Sequence, residues 1–185
     1  HPALIGDEYL DHNSGKFKVL LSMLNEVEDE GHKVLIFSQF TSLLALLRKH
    51  LDEQGKVYEY LDGKTTNREG RVDHFQNDPN VKFFLISLKA GGVGLNLTAA
   101  DYVFILDPWW NPAAENQATD RTHRIGQDKT VFVYKLITEN SVEEKILAMQ
   151  ENKQALAQGI YDNKLSDAED SLTAEDLQQL FAPMQ

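Results

Sequence analysis

The sequence contains no cysteine, which excludes disulfide frameworks and thiolate metal sites. It also lacks any run of eighteen or more apolar residues, so no segment is predicted to span a membrane. Residues 1–6 have neither a basic start nor an apolar stretch, and the first residue is not Met. We therefore expect no signal peptide, and we expect the chain to begin within a longer protein.

Basic charge is scarce, because the formal net charge of the 185 residues is −11. This balance argues against a uniformly basic nucleic-acid-binding protein. From Glu139 onward, however, ten Asp or Glu side chains stand against three Lys or Arg, a balance of −7. Residues 1–138 carry only the remaining −4, so a local contact with nucleic acid is not excluded there.

The two common nucleotide-binding motifs are missing as well. Gly63-Lys64-Thr65 has the ending of a phosphate loop, but the first glycine of that motif would have to stand at Tyr58, so we interpret this segment as a turn. Gly92 and Gly94 supply two glycines of a dinucleotide fingerprint, but Leu97 stands where the third is needed. The sequence therefore does not contain a complete ATPase centre.

What the sequence does contain is a regular alternation of strand and helix patterns. Short, continuous apolar runs predict strands at 34–37, 57–61, 83–87, 102–106 and 131–137. Apolar residues at helical spacing predict helices at 16–30 and around 43–51, and the capping box Thr66-x-x-Glu69 predicts the start of a third. This pattern predicts a three-layer α/β fold with a mainly parallel sheet flanked by helices.

Two further helices are predicted beyond the fourth strand. Asn111-Pro112 predicts the start of a helix that runs to about residue 124. The capping box Ser141-x-x-Glu144 predicts another, with Val142, Ile146 and Met149 facing inward. We predict domain boundaries that separate residues 1–138, a helix within 139–160, and an acidic linker with a short capped helix at 161–185. That last helix would present Leu177, Leu180 and Phe181 on one side.

The predicted helix after Asn111 carries a polar stripe. Gln117, Arg121 and Arg124 are spaced four and then three residues apart, so they project from one face. Two guanidinium groups one turn apart match the spacing of phosphate oxygens. The alternative is a solvated face on which the arginines pair with Asp120 and Glu115. His123 has no second ligand at metal-binding spacing, and we predict no metal site.

A glycine-rich loop follows the strand predicted at 83–87. Its glycines let backbone amides approach an anion closely, and parallel sheets place ligands at the carboxyl ends of their strands. The alternative is a loop that only reverses the chain. The residues concerned are Ser87, Lys89, Gly91, Gly92, Gly94, Leu95 and Asn96.

Both tryptophans of the chain, Trp109 and Trp110, stand side by side between a predicted strand and a predicted helix. Adjacent side chains on irregular backbone point apart, so one of them could stack on a nucleotide or a partner. The alternative is that both anchor the start of the helix to the core.

Taken together, four segments resemble the motif series of the Swi/Snf-like double-stranded DNA translocases of helicase superfamily two. They occur in that family's order and approximate spacing, and the resemblance extends from Ser14 to about Leu156. The segments are Lys33–Phe40, Ser87–Thr98, Asp107–Pro112 and Gln117–Gln127.

The resemblance implies that residues 1–138 form the second, C-terminal RecA-like lobe of a DNA-dependent ATPase, and that 139–160 hold a brace helix. A first, N-terminal lobe would hold most of the ATP and Mg²⁺, so the isolated chain is expected to be inactive. Arg121 and Arg124 would act as arginine fingers supported by Gln117. Gly94, Leu95 and Asn96 would border the nucleotide.

The same resemblance implies a DNA-backbone contact made by Ser87, Lys89, Gly91 and Gly92, to which we add Trp110. A nucleosome or an RNA polymerase is a further candidate partner. The expected location is the nucleoid-containing cytoplasm in a bacterium or the nucleus in a eukaryote. An alternative function is that of a non-catalytic docking module, which would use Leu177, Leu180 and Phe181 to bind a DNA-bound protein such as RNA polymerase.

Overall fold

The computed structural model of the protein describes residues 1–4, 14–90, 95–110, 113, 116 and 129–151. Within these residues helices and strands alternate in the predicted order, and residues 142–151 are also helical. After a 3-10 turn at Pro2–Leu4, the elements are α1 (Gly15–Asp29), β1 (Val34–Ser38), α2 (Thr41–Glu53), β2 (Tyr58–Leu61), α3 (Arg68–Asn77), β3 (Phe83–Ser87), β4 (Tyr102–Ile105) and β5 (Phe132–Lys135).

The five strands form one sheet in the order β2-β3-β1-β4-β5. All neighbouring strands are parallel, with Val34 of β1 opposite Phe83 of β3 on one side and Tyr102 of β4 on the other. Every residue of β1 and β3 is buried, as their continuous apolar runs predict for strands covered on both faces. The predicted α/β fold is confirmed, and its described strands are wholly rather than mainly parallel.

Alternating side chains of the sheet divide the core into two layers. One layer lies under α1 and α2 and includes Leu20, Leu47 and Phe104. The other lies on the α3 side and includes Phe75 and Val103. We call these sides the α1/α2 face and the α3 face. Fully burying one such side chain contributes about 1.5–3 kcal/mol, so the two layers are the main source of stability for the sheet.

The first two helices begin and end within about two residues of their predicted bounds. Ser14 caps α1 by accepting a hydrogen bond from the amide of Phe17 at 3.4 Å. Both helices are followed by a glycine in the left-handed region, with φ of +85° at Gly31 and +66° at Gly55. Glycine adopts this conformation without a steric penalty, so the chain can turn there into the next strand.

The prediction for the start of α3 is wrong by one residue. The helix is capped by Asn67, whose side chain accepts the amide of Gly70 at 3.1 Å, and not by Thr66. A Cβ atom at position 70 would lie 2.5 Å from the Asn67 side-chain amide, so a larger residue there would displace the capping side chain. Thr66 is exposed and precedes the cap.

The C-terminal part departs from the predicted burial pattern. Val142 is 51% exposed, so the prediction that it faces inward is wrong, whereas Met149 is buried. Glu144 accepts the amide of Asn140 at 3.0 Å, so the predicted capping box bonds one residue earlier than expected. All four residues of β5 are exposed, whereas β2, the strand at the other edge of the sheet, buries Glu59 and Leu61. The sequence predicts that β5 is a strand, but not that it is an edge strand.

Among the described helices, none has the length and apolar character needed to cross a bilayer. The boundaries at residues 138 and 160 stay a prediction. The helical residues 142–151 fall within the helix predicted at 139–160, and its remaining residues lie outside the described part of the chain. The acidic linker and the short helix with Leu177, Leu180 and Phe181 also lie outside it.

Candidate nucleotide and nucleic-acid interface

The carboxyl edge of the sheet is the place where this fold can hold a ligand. The chain leaving β1 enters α2 on the α1/α2 face. The chain leaving β3 passes over the opposite face, where Ala90 and Leu95 are buried. In open parallel sheets, ligands bind outside the carboxyl ends of strands whose connections leave in opposite directions. The ends of β1, β3 and β4 therefore define the candidate site.

A buried carboxylate joins two of these strand ends. Asp107, which follows β4, accepts hydrogen bonds from the Ser38 hydroxyl at 2.5 Å and from the Gln39 amide at 2.9 Å. Asp107 is only 4% exposed. Burial raises the pKa of the Asp107 carboxyl above its ordinary value, while the hydrogen bonds from Ser38 and Gln39 act in the opposite direction. Asp107 therefore fixes the backbone after β1 relative to the backbone after β4.

The predicted DNA-contact residues begin at the end of β3. Ser87 is 3% exposed and lies beside Ser38 of β1, so its side chain is largely covered in this structure. Lys89, two residues later, is exposed. Arg68 of α3 donates to the carbonyl of Ala90 at 3.4 Å, which attaches this loop to α3. An exposed lysine beside a held backbone is an arrangement that can bind a phosphate.

The predicted nucleotide-contact residues are only partly described. Leu95 is 9% exposed and packs in the core on the α3 face, so any contact it makes with a nucleotide must come from its backbone. Asn96 is exposed. Gly91, Gly92, Gly94, Gln117, Arg121 and Arg124 lie outside the described residues. The predicted roles of all these residues stay predictions.

The two tryptophans lie together in the loop after β4. Their ring centroids are 5.9 Å apart with an interplanar angle of 45°, and both side chains are half-buried. A partly exposed indole retains a surface on which a base or another ring can stack. The predicted DNA contact of Trp110 is therefore compatible with its position and stays a prediction.

A small cavity of about 160 Å³ adjoins Asp107 on the α1/α2 face. Lys16 of α1 lines it and donates to the carbonyl of Leu106 at 2.9 Å. The same ammonium group pairs with Glu143, which also accepts the amide of Thr138 at 2.7 Å. These contacts connect α1, the end of β4 and helix 142–151.

Sequence reasoning named Asp107 only as part of a motif. It missed the contacts of Lys16, Ser38 and Glu143, and also the hydrogen bond that the Gln150 side chain donates to the carbonyl of Trp109. A signal was present for Ser38 and Asp107, because each is a polar residue that directly follows a continuous apolar run in the sequence. No such signal existed for the others, since their partners are distant in sequence. Among the described residues, no group of three His, Cys, Asp or Glu side chains is arranged to hold a metal ion.

Comparison with known proteins identifies the family. Residues 15–126 match the helicase conserved C-terminal domain. The chain belongs to this family. The chain is 47% identical over 152 residues to the human protein named lymphoid-specific helicase, a match that covers 81% of this chain and 18% of the relative.

A mouse relative and a solved structure place this chain in the Swi/Snf-like group. The mouse SWI/SNF-related matrix-associated actin-dependent regulator of chromatin subfamily A member 1 is 44% identical over 155 residues, which cover 82% of this chain and 15% of the relative. The Sulfolobus solfataricus SWI2/SNF2 ATPase core, solved in complex with double-stranded DNA, has a TM-score of 0.72 and 36% identity. That match covers 97% of this chain and 38% of the other.

The Swi/Snf-like family and the α/β fold, which the motif series and the strand–helix pattern predict, are thus both confirmed. The chain spans less than a fifth of the length of these two curated relatives. The activity of a whole protein containing this chain therefore has to be proposed from its residues.

Proposed function

We propose that this chain is the second lobe of an ATP-dependent translocase that moves along double-stranded DNA. In this proposal a phosphate-loop lobe holds ATP and Mg²⁺, and the present lobe supplies Arg121 and Arg124 to the nucleotide. The observation that carries the proposal is the family match over residues 15–126, which includes both the glycine-rich loop and the arginine pair. The similarity to a DNA-bound ATPase core supports the choice of duplex DNA.

The chemistry assigned to the arginines is electrostatic. When ATP is bound by the partner lobe, a guanidinium group stabilises the charge that develops on the transferred phosphoryl group. Gln117, one turn before Arg121 in sequence, would support the same surface. Asn96 and the backbone at Gly94 and Leu95 would border the nucleotide from the carboxyl edge of the sheet.

The DNA contact in this proposal is made to phosphates and not to bases. The exposed Lys89 and the amides at Gly91 and Gly92 would meet the backbone beside the end of β3, and Trp110 would add a stacking surface. Such contacts carry little sequence information, so binding is expected to be nearly independent of sequence and strongly dependent on salt.

Replacing either arginine tests the catalytic part of the proposal. In a protein that combines this chain with its phosphate-loop lobe, Arg121→Ala or Arg124→Ala is expected to lower DNA-stimulated kcat by about 10³ to 10⁵, because an arginine finger contributes that much to the rate. ATP affinity, measured with a fluorescent nucleotide, is expected to persist because the other lobe holds the triphosphate.

Arg48→Ala is the matched control. Arg48 lies on α2 with its guanidinium carbon 4.4 Å from the centroid of the Tyr60 ring, and it hydrogen-bonds the Tyr58 hydroxyl. Its loss is expected to change stability but not turnover. Turnover that stays normal in both Arg121→Ala and Arg124→Ala would refute the catalytic role.

A further inference from the structure

The loop at residues 106–110 leads from β4 toward the segment with the predicted arginine fingers. Three different elements hold this loop. Lys16 of α1 donates to the Leu106 carbonyl, and Asp107 is bonded to Ser38 and Gln39 after β1. The third contact comes from the opposite end of the chain, where Gln150 of helix 142–151 donates its side-chain amide to the carbonyl of Trp109.

Gln150 of helix 142–151 is a polar residue that is unusually well buried. It is 2% exposed, and the preceding Met149 is 5% exposed, whereas Glu144 and Glu151 of the same helix are exposed. Burying a primary amide is unfavourable unless its hydrogen bonds are formed. The hydrogen bond that Gln150 donates to the Trp109 carbonyl meets part of this requirement.

The same helix is attached a second time, near its start. Glu143 pairs with Lys16, which itself donates to Leu106. Helix 142–151 is thus linked to the 106–110 loop at two points. Glu143 is linked to Leu106 through Lys16, and Gln150 contacts Trp109 directly. Two attachments fix the orientation of the loop relative to the helix, which one attachment would not.

We propose that Gln150 is a positioning residue for ATP hydrolysis, because it sets the loop from which the Arg121 and Arg124 segment continues. This inference rests on the proposed function, in which those arginines reach the nucleotide. It assigns helix 142–151 a part in turnover, because a displacement of this helix would also displace the loop at Trp109. A misplacement of about 1 Å can lower a rate about a hundredfold, so one such bond can matter.

The direct test replaces the amide without changing its size. Gln150→Met keeps the length of the side chain and removes the donor. In the protein with both lobes, we expect kcat for DNA-stimulated hydrolysis to fall roughly tenfold to a hundredfold. KM for ATP is expected to stay unchanged, because the nucleotide is held elsewhere. Gln54→Met, the same substitution at an exposed position on the C-cap of α2, is the control and should leave both constants unchanged.

A second variant separates positioning from folding. Gln150→Glu is nearly isosteric, and its ionised carboxylate cannot donate to a carbonyl, whereas its protonated form can. Its kcat relative to that of the unmodified protein is expected to recover as the pH falls through the ionisation of the new carboxyl group. A purely structural role would lower thermal stability in both variants but would not produce this recovery in kcat.

The tryptophans provide a readout that does not depend on catalysis. Both tryptophans of this chain lie in the loop, so the tryptophan fluorescence of the chain, excited selectively over its six tyrosines, reports on the loop. Gln150→Met is expected to increase quenching of the emission by acrylamide, and Gln54→Met is not.

Absence of DNA-stimulated hydrolysis in the unmodified two-lobed protein would refute the proposed function. Normal kcat in folded Gln150→Met, or a loss of kcat in Gln150→Glu without recovery at lower pH, would overturn the present inference.

Discussion

At the scale of single residues, the carboxyl edge of the sheet is organised by a carboxyl group that lies almost out of contact with water. Asp107 accepts hydrogen bonds from the side chain of Ser38, the last residue of β1, and from the backbone amide of Gln39. These bonds favour the ionised form, whereas burial opposes it, and the net result is a raised pKa. Asp107 therefore joins two strand ends, and because its pKa is raised, it also makes the stability of the fold depend on pH.

The sign of this dependence follows from proton linkage. Because the pKa of Asp107 is higher in the folded state than in the unfolded state, its contribution to stability is present below about pH 4, the ordinary aspartate pKa, and is lost as the pH rises through the folded value. Asp107→Asn removes this ionisation. As the pH rises above the ordinary aspartate pKa, we therefore expect the free energy of unfolding to fall less for the variant than for the unmodified chain. Denaturant titrations at several pH values measure this difference.

The same substitution at Asp78 is the control and should have the opposite effect. A hydrogen bond from the Asn80 amide, together with His74, lowers the pKa of Asp78. Its contribution is therefore present above the ordinary aspartate pKa and is lost as the pH falls. If Asp107→Asn and Asp78→Asn changed the pH dependence in the same direction, the environment described for Asp107 would be contradicted.

At the scale of elements, the start of α3 offers a direct comparison between sequence and structure. The sequence pattern places the cap at Thr66, whereas the structure places it at Asn67. Asn67→Ala is expected to lower the unfolding free energy by about 1 kcal/mol, the usual loss when a capping side chain is removed. Thr66→Ala is expected to change it by less than half of that amount. Denaturant unfolding of both variants measures the difference, and a larger loss at Thr66 would support the sequence pattern instead.

Most elements could be predicted from the sequence because continuous apolar runs and helical spacing are local features. β1 and β3 are examples, since their buried runs identify strands covered on both faces. Exposure of Val142 and of β5 could not be predicted, because periodicity indicates which residues share a face but not whether another element covers it. The contact of Gln150 with Trp109 was equally hidden, since the two residues are 41 positions apart.

At the scale of the whole molecule, negative charge is concentrated in the C-terminal part of the sequence. Residues 161–185 contain six acidic side chains and one lysine. Their removal from the two-lobed protein is expected to increase its affinity for duplex DNA at low ionic strength, because it reduces repulsion of the phosphates. The difference is expected to diminish as salt screens the charges.

A full-length variant provides the control for this deletion. Replacing the six carboxylates of residues 161–185 by their amides keeps the chain length and should produce the same increase in affinity. Equilibrium binding measured at several salt concentrations distinguishes the possibilities. Equal affinity of all three proteins at low salt would contradict an electrostatic role for these residues.

The order of the strands also has a consequence for the way the protein is synthesised. Both β1 and β2 pair with β3, which begins at Phe83, and the other neighbour of β1 is β4. Until the ribosome has completed β3, neither of the first two strands has a partner, and their apolar side chains have no sheet to join. Assembly of the sheet must therefore wait for the middle of the sequence, and this nascent stretch is where we expect molecular chaperones to be needed most.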